Sequence, residues 1–130
     1  MQLRALVILL RLGGTILVTA FLAMIMPTDW MASTHARLGL GEFPRVPLVD
    51  YLTRSVAALY AFHGVLLFAL STDPVRYVRV IRYLGWMNIV FGVALVLIDL
   101  HAGLPLWWTL SEGPPVVALG VIMVKLCRSL

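Results

Sequence analysis

Four long runs of apolar residues dominate the sequence, and they cover approximately residues 5–26, 49–71, 76–100 and 105–126. Each run is long enough to cross a membrane as a helix, which takes about 20 residues. A helix satisfies its own backbone groups and is therefore stable in lipid. The pattern predicts an all-α integral membrane protein, a four-helix transmembrane bundle that forms a single domain over residues 1–130.

The connections between the runs differ in length. Only the connection 27–48 is long, and it mixes Trp30, Met31 and Leu38 with polar residues and glycines. This mixture predicts a short interfacial helix near residues 29–38, in an outer loop between the first two spans, followed by an irregular stretch.

Two short segments carry signals for helix ends. Asp73 followed by Pro74 predicts the N-cap and the first residue of the third helix. The segment 111–115, Ser-Glu-Gly-Pro-Pro, interrupts the fourth run, because proline lacks the backbone donor that a helix interior needs. We therefore expect a break in the fourth helix at this point.

The composition agrees with a membrane location, since 62% of the residues are hydrophobic and 12% are charged. Soluble domains are about half apolar and a quarter charged. The net charge of +4 comes from cations at the span ends and not from a basic face, which argues against a nucleic-acid partner and for the lipid bilayer.

The distribution of cations predicts the orientation. If four spans alternate, seven of the ten cations fall on one side, which is then cytoplasmic. We expect a multi-pass protein of a bacterial inner membrane with both termini in the cytoplasm. The seven cations are Arg4, Arg11, Arg76, Arg79, Arg82, Lys125 and Arg128, and the outer three are Arg37, Arg45 and Arg54.

Five of the six acidic residues fall at the opposite, outer end of the predicted bundle, and only Asp73 falls on the cytoplasmic side. This asymmetry predicts a polar pocket at that end. The outer acids are Asp29, Glu42, Asp50, Asp99 and Glu112.

Asp50 and Arg54 lie one turn apart in the second predicted span. In one interpretation they neutralise each other while the small residues of the same stripe pack against a neighbouring helix. In the other, Arg54 holds an anionic group or pairs with Asp99 or Glu112. The small residues of the stripe are Ala57, Ala61 and Gly64.

One face of the third predicted span carries Gly85, Asn88, Gly92 and Asp99, and this face should point inward. Asn88 either forms a hydrogen bond across a helix interface or contributes to a polar site. Asp99 is either a hydrated helix end or part of an interior ion pair.

Glu112 lies thirteen residues before Lys125, or about 20 Å along a helix, within a hydrocarbon core of about 30 Å. A buried carboxyl beside a broken helix is a recurrent arrangement in ion, proton and substrate sites. The alternative is that residues 107–113 lie along the membrane surface and that Glu112 is hydrated.

Cofactor and metal chemistry finds little support in the sequence. His63 is about 20 Å deeper than His101, so these two residues cannot hold one haem. His-x-x-His spacing and a Gly-x-Ser-x-Gly nucleophile motif are absent, and Cys127 is the single cysteine. We predict no cofactor and no metal site.

The length and the four-span layout resemble those of small multidrug exporters and fluoride channels. The resemblance is limited to topology, because the exporters' glutamate in the first span and the channels' asparagine in the second have no counterpart here. It therefore implies no residue roles for this chain.

The sequence favours a small non-enzymatic membrane protein that binds or passes a small ligand or ion at an outward-facing polar site. Four short helices seldom enclose a pathway, so this hypothesis implies a homo-oligomer. The alternatives are an accessory subunit that docks a membrane-protein partner, and a membrane-embedded enzyme that acts on lipid or quinone. The predicted ligand-binding residues are Arg54, Asp99 and Glu112, with Asp50, Asn88 and His101.

Overall fold

The computed structural model describes residues 1–128, and this part of the chain is helical throughout, apart from its turns and connections. Four helices are long and apolar enough to cross a membrane. A fifth, shorter helix follows the first. The helices are α1 (Gln2–Ile25), α2 (Thr28–Arg37), α3 (Pro47–Ser71), α4 (Val78–Ala102) and α5 (Leu106–Cys127).

The structure confirms the predicted all-α fold with four long apolar helices, whose ends lie within three residues of the predicted ones. The long apolar runs determine these ends, since polar or proline-containing connections bound each run. The single domain stays a prediction.

α1 is interrupted at Thr19, between the helical segments Gln2–Val18 and Ala20–Ile25. The Thr19 hydroxyl donates to the Ile16 carbonyl at 2.5 Å, and the Thr15 hydroxyl donates to the Arg11 carbonyl at 2.9 Å. Threonine hydroxyls that bond back to helix carbonyls loosen and bend a helix.

The expected break in the fourth helix is wrong. α5 is continuous from Leu106 to Cys127, with Pro114 and Pro115 inside it. A residue before proline is pushed out of the helical region by a clash that involves its Cβ, and here that residue is Gly113, which has none. The absence of a Cβ on Gly113 therefore removes this clash at Pro114, the first of the two prolines.

The expected N-cap of the third helix is also wrong. α4 begins at Val78 and not at Pro74. The Asp73 carboxylate accepts a hydrogen bond from the Arg76 backbone nitrogen at 3.2 Å, and the Asp73 carbonyl accepts one from the Tyr77 nitrogen. Asp73 therefore caps a turn that precedes the helix.

The outer connection contains α2 and a stretch without regular structure in which Gly39 and Gly41 have positive φ angles of 73° and 88°. The His35 ring lies 3.1 Å from the Gly41 carbonyl and packs edge-on against Phe43. A helix is thus present where the sequence predicts one, and its placement at a membrane interface stays a prediction.

The described chain divides into two compact units. The first unit is Leu10–Ala69, and the second combines Met1–Leu9 with the residues from 70 onward.

In the first unit, α3 runs antiparallel to α1. A Cβ on Gly64 would lie 2.8 Å from the Gly14 carbonyl oxygen. A second contact joins Met24 to Arg54. Met24 lies ten residues after Gly14 in α1, and Arg54 lies ten residues before Gly64 in α3. Ala61 is fully buried between these two contacts. The small-residue stripe therefore packs against a neighbouring helix, as the first interpretation of this stripe expects.

In the second unit, α4 runs antiparallel to α5 and the two meet at glycines. A Cβ on Gly120 would lie 2.5 Å from the Gly85 carbonyl oxygen, and one on Gly92 would lie 2.8 Å from that of Gly113. The two contacts are seven residues apart on both helices. The face of α4 that was predicted to point inward is therefore the face that packs on α5.

Candidate functional site

Arg54 is the centre of a hydrogen-bonded cluster in the first unit. Its Nε donates to the Asp50 carboxylate at 2.9 Å, and its Nη1 donates to the Met24 carbonyl at 2.7 Å. Thr28 donates to the other Asp50 oxygen at 3.1 Å and lies 3.4 Å from Arg54 Nη2. The side chains of Arg54 and Asp50 are only 30% and 36% exposed.

The Met24 carbonyl is one of the last four carbonyls of α1, and these carbonyls receive no hydrogen bond from a backbone N–H of the same helix. A guanidinium at this position satisfies the carbonyl and interacts favourably with the negative end of the helix dipole. The second unit repeats this contact, because Arg82 in α4 donates to the Cys127 carbonyl at the end of α5 at 2.8 Å. Each arginine thus caps the carboxyl end of the helix that runs antiparallel to its own.

Replacing Arg54 with alanine should lower the thermal stability clearly, because one change removes the partner of Asp50 and the cap of α1. Arg54→Lys should restore only part of the loss, since an ammonium group lacks the planar fork that reaches both acceptors. The melting temperature of the purified protein in detergent measures both effects.

The matched control for Arg54 is Arg45→Ala. Arg45 pairs with Asp29 at 2.6 Å, but these side chains are 63% and 77% exposed. Exposed ion pairs contribute little to stability. Equal losses in the Arg45 and Arg54 variants would contradict the capping role.

The second unit contains two buried polar groups at one end of the α4–α5 interface. Asp99 and Thr109 are each only 3% exposed. Asp99 Oδ2 and Thr109 Oγ1 are fully buried, and neither has a hydrogen-bond partner within the described residues. Buried polar atoms are nearly always hydrogen-bonded, so these two atoms call for an explanation.

The glycine contacts show how these groups are placed. Asp99 follows Gly92 by seven residues and stays on the face of α4 that packs on α5. Thr109 precedes Gly113 by four residues and stays on the face of α5 that packs on α4. Because the helices are antiparallel, both residues lie on the same side of the Gly92–Gly113 contact.

Glu112 belongs to the same end of the interface. It lies one residue before Gly113, is half-buried, and accepts a hydrogen bond from the Trp108 indole nitrogen at 2.8 Å. We call Asp99, Thr109 and Glu112 the carboxyl site.

The remaining predicted site residues lie elsewhere or take other roles. Asn88 donates to the Met123 sulfur across the α4–α5 interface at 3.6 Å, as expected for an interfacial asparagine, and lies about 16 Å from Asp99 along α4. His101 is exposed in the last turn of α4. The combined site of Arg54, Asp99 and Glu112 stays a prediction.

Sequence reasoning missed Thr109 and the hydrogen bond of Trp108. A threonine in an apolar run carries no signal of its own. Its spacing of three residues from Glu112 and four from Gly113 puts it on their face of the helix, and this was the available clue.

Within residues 1–128, no group of three or more His, Cys, Asp or Glu side chains is arranged to hold a metal ion. No known family model, curated protein or solved structure matches this chain. The carboxyl site must therefore be interpreted from its own chemistry.

Proposed function

We propose that the protein is a multi-pass membrane protein that binds a small cation at the carboxyl site and passes it across the membrane. The observation that carries this proposal is the orphaned oxygen of Asp99, which is buried without a partner among the described residues. An ionised carboxylate in such a place costs several kcal/mol unless it is paired. Binding of a cation removes that cost.

The distribution of apolar side chains supports membrane insertion. Large apolar residues are exposed along all four long helices, such as Ile16 at 70%, Leu59 at 69%, Val90 at 64% and Leu110 at 58%. In water such surfaces would aggregate, whereas lipid covers them. Buried polar groups beneath an apolar exterior are typical of functional sites within membranes.

The proposed orientation follows from charge. The cytoplasmic side would hold both termini and the turn at Asp73, and the carboxyl site would lie towards the outer side, as in a bacterial inner membrane. Because α4 and α5 meet through glycine backbones, the pair leaves little space for a pore. We propose that a homo-oligomer completes the pathway.

The test is ion flux into vesicles that contain the purified full-length protein. Proton entry is followed with an enclosed pH-sensitive dye, and sodium and potassium entry with isotopes. Asp99→Asn and Glu112→Gln should each reduce the flux to the level of protein-free vesicles, because each removes a charge that attracts the cation.

The matched controls are Asp73→Asn and Glu42→Gln, which make the same chemical changes at exposed positions. Both should conduct like the unchanged protein. Flux that survives in Asp99→Asn and Glu112→Gln, or no flux of any of the three cations, would overturn the transport proposal.

A further inference from the structure

We infer that the end of the second unit that carries its cations binds an anionic phospholipid, with the phosphate among the cations and an acyl chain along the first turns of α1. This inference goes beyond the proposed transport and rests only on the proposed membrane insertion. It depends on the grouping of the cations, the lack of acids to neutralise them, and an apolar groove beside them. We call this region the basic end, and its cations are Arg4, Arg76, Arg79, Arg82, Lys125 and Arg128.

The cations of α4 and α5 lie at one end of the helix pair. Arg82 donates to the Cys127 carbonyl at 2.8 Å, so the beginning of α4 lies beside the end of α5. Arg79 precedes Arg82 by three residues, or about one helical turn. Lys125 and Arg128 lie two residues before and one residue after Cys127. The two helices therefore bring their cations to the same end.

Arg4 joins the basic end from α1. Residues 1–9 form one compact unit with the residues from 70 onward. Because α1 runs antiparallel to α3, the first turns of α1 lie beside the end of α3 at Ser71. Arg76 follows Ser71 by five residues, in the turn before α4. The basic end thus combines cations from α1, from this turn, and from α4 and α5.

The chain offers these cations almost no opposite charge. Asp73 is the only acidic residue between residues 70 and 98, and residues 1–9 and 113–128 contain none. The Asp73 carboxylate already accepts a hydrogen bond from the Arg76 backbone nitrogen at 3.2 Å. Within residues 1–128, the exposed side chains of Arg4, Arg79 and Lys125 have neither a hydrogen bond nor an ion pair. The summed positive charge attracts an anion from outside the chain.

An apolar groove identifies this anion as a lipid. The groove has a volume of about 300 Å³ and is lined by Leu3, Arg4, Val7 and Ile8, which share one face of α1. A free phosphate would leave this groove empty, whereas an acyl chain covers its apolar side chains. Basic groups beside membrane helices bind the head groups of anionic lipids, which are abundant on the cytoplasmic side. The cations and the groove therefore match the two parts of one phospholipid.

The test is native mass spectrometry of the full-length protein in detergent, titrated with phosphatidylglycerol or with phosphatidylcholine that has the same acyl chains. Phosphatidylglycerol should bind about tenfold more tightly, because several cations attract its net charge. Arg4→Gln and Arg79→Gln should each weaken this binding about fivefold, and the double variant should bind both lipids equally. The matched control is Arg37→Gln, at an exposed arginine of α2 in the first unit, and it should bind like the unchanged protein.

A second pair of variants tests the groove. Ile8→Gln should weaken the binding of phosphatidylglycerol, because the groove becomes polar. Ile16→Gln makes the same change at another exposed position of α1 and should have no effect. Glycerol 3-phosphate carries a phosphate without acyl chains and should not displace the lipid.

The outcomes separate this inference from the proposed transport. Equal binding of the two lipids, or an unaltered preference in the Arg4→Gln/Arg79→Gln variant, would overturn the lipid site. Displacement by glycerol 3-phosphate would show that the basic end binds free phosphate esters and would also overturn it. Selective binding of phosphatidylglycerol in a protein that conducts no ion would support the lipid site and refute the transport.

Discussion

Replacement of Gly113 with alanine should lower the free energy of unfolding by about 3 kcal/mol, which is at the upper end for a methyl group forced into a packed interface. The new Cβ would lie 2.8 Å from the Gly92 carbonyl oxygen and would collide with the Val96 side chain. Neither backbone can move without separating the helices.

Gly113 has a second role that makes this substitution unusually costly. It precedes Pro114 inside a continuous helix, where a Cβ would clash with the proline ring. Alanine therefore disturbs both the packing on α4 and the course of α5.

Three further variants separate these two effects. Gly92→Ala disturbs only the helix contact, since its Cβ would lie 2.8 Å from the Gly113 oxygen. In the Gly113→Ala/Pro114→Ala double variant position 113 no longer precedes a proline, so part of the stability should return. Ala118→Val, at an exposed position of α5, is the control and should have little effect.

The measurement is reversible unfolding in mixed micelles of SDS and a mild detergent, followed by circular dichroism. Because Gly92 and Gly113 share one contact, their alanine variants should be non-additive. A stability of Gly113→Ala equal to that of Ala118→Val would contradict the close approach of α4 and α5.

The ends of the long helices could be predicted because the apolar runs are bounded by polar or proline-containing segments. The continuity of α5 through its two prolines could not be predicted, because the effect of a proline on a helix depends on the residue before it. The expected break at residues 111–115 neglected that the residue before Pro114 is Gly113, which has no Cβ to clash with the proline ring.

The contacts between helices were predictable only in part. The face of Gly85, Gly92 and Asp99 follows from helical periodicity, but the partner and the register of that face do not. The same limit applies to Arg54, whose three possible partners in the sequence were all acids. The structure adds the Met24 carbonyl, a backbone group that no sequence pattern marks.

The carboxyl site was visible only through its charges. Asp99 and Glu112 stand out in an apolar run, whereas Thr109 becomes notable only when its burial and its missing partner are known. A site that depends on polar atoms without hydrogen-bond partners is thus difficult to find from sequence. Such atoms also lower the stability of the folded protein.

Replacement of Thr109 with valine should raise the free energy of unfolding by about 1–2 kcal/mol, because valine has the same shape and no unsatisfied hydroxyl. Residues that serve a function often reduce stability, and their replacement recovers it. The same variant should weaken ion flux, since the site loses one of its few oxygens.

Thr15→Val is the matched control, because the Thr15 hydroxyl is exposed and already bonded to the Arg11 carbonyl. It removes a satisfied hydroxyl and should give no gain. Unfolding in the same SDS micelles compares the two variants, and the vesicle assay measures flux. A loss of stability in Thr109→Val would mean that the Thr109 hydroxyl has a hydrogen-bond partner in the folded protein. The argument for a ligand-binding site would then rest on Asp99 Oδ2 alone.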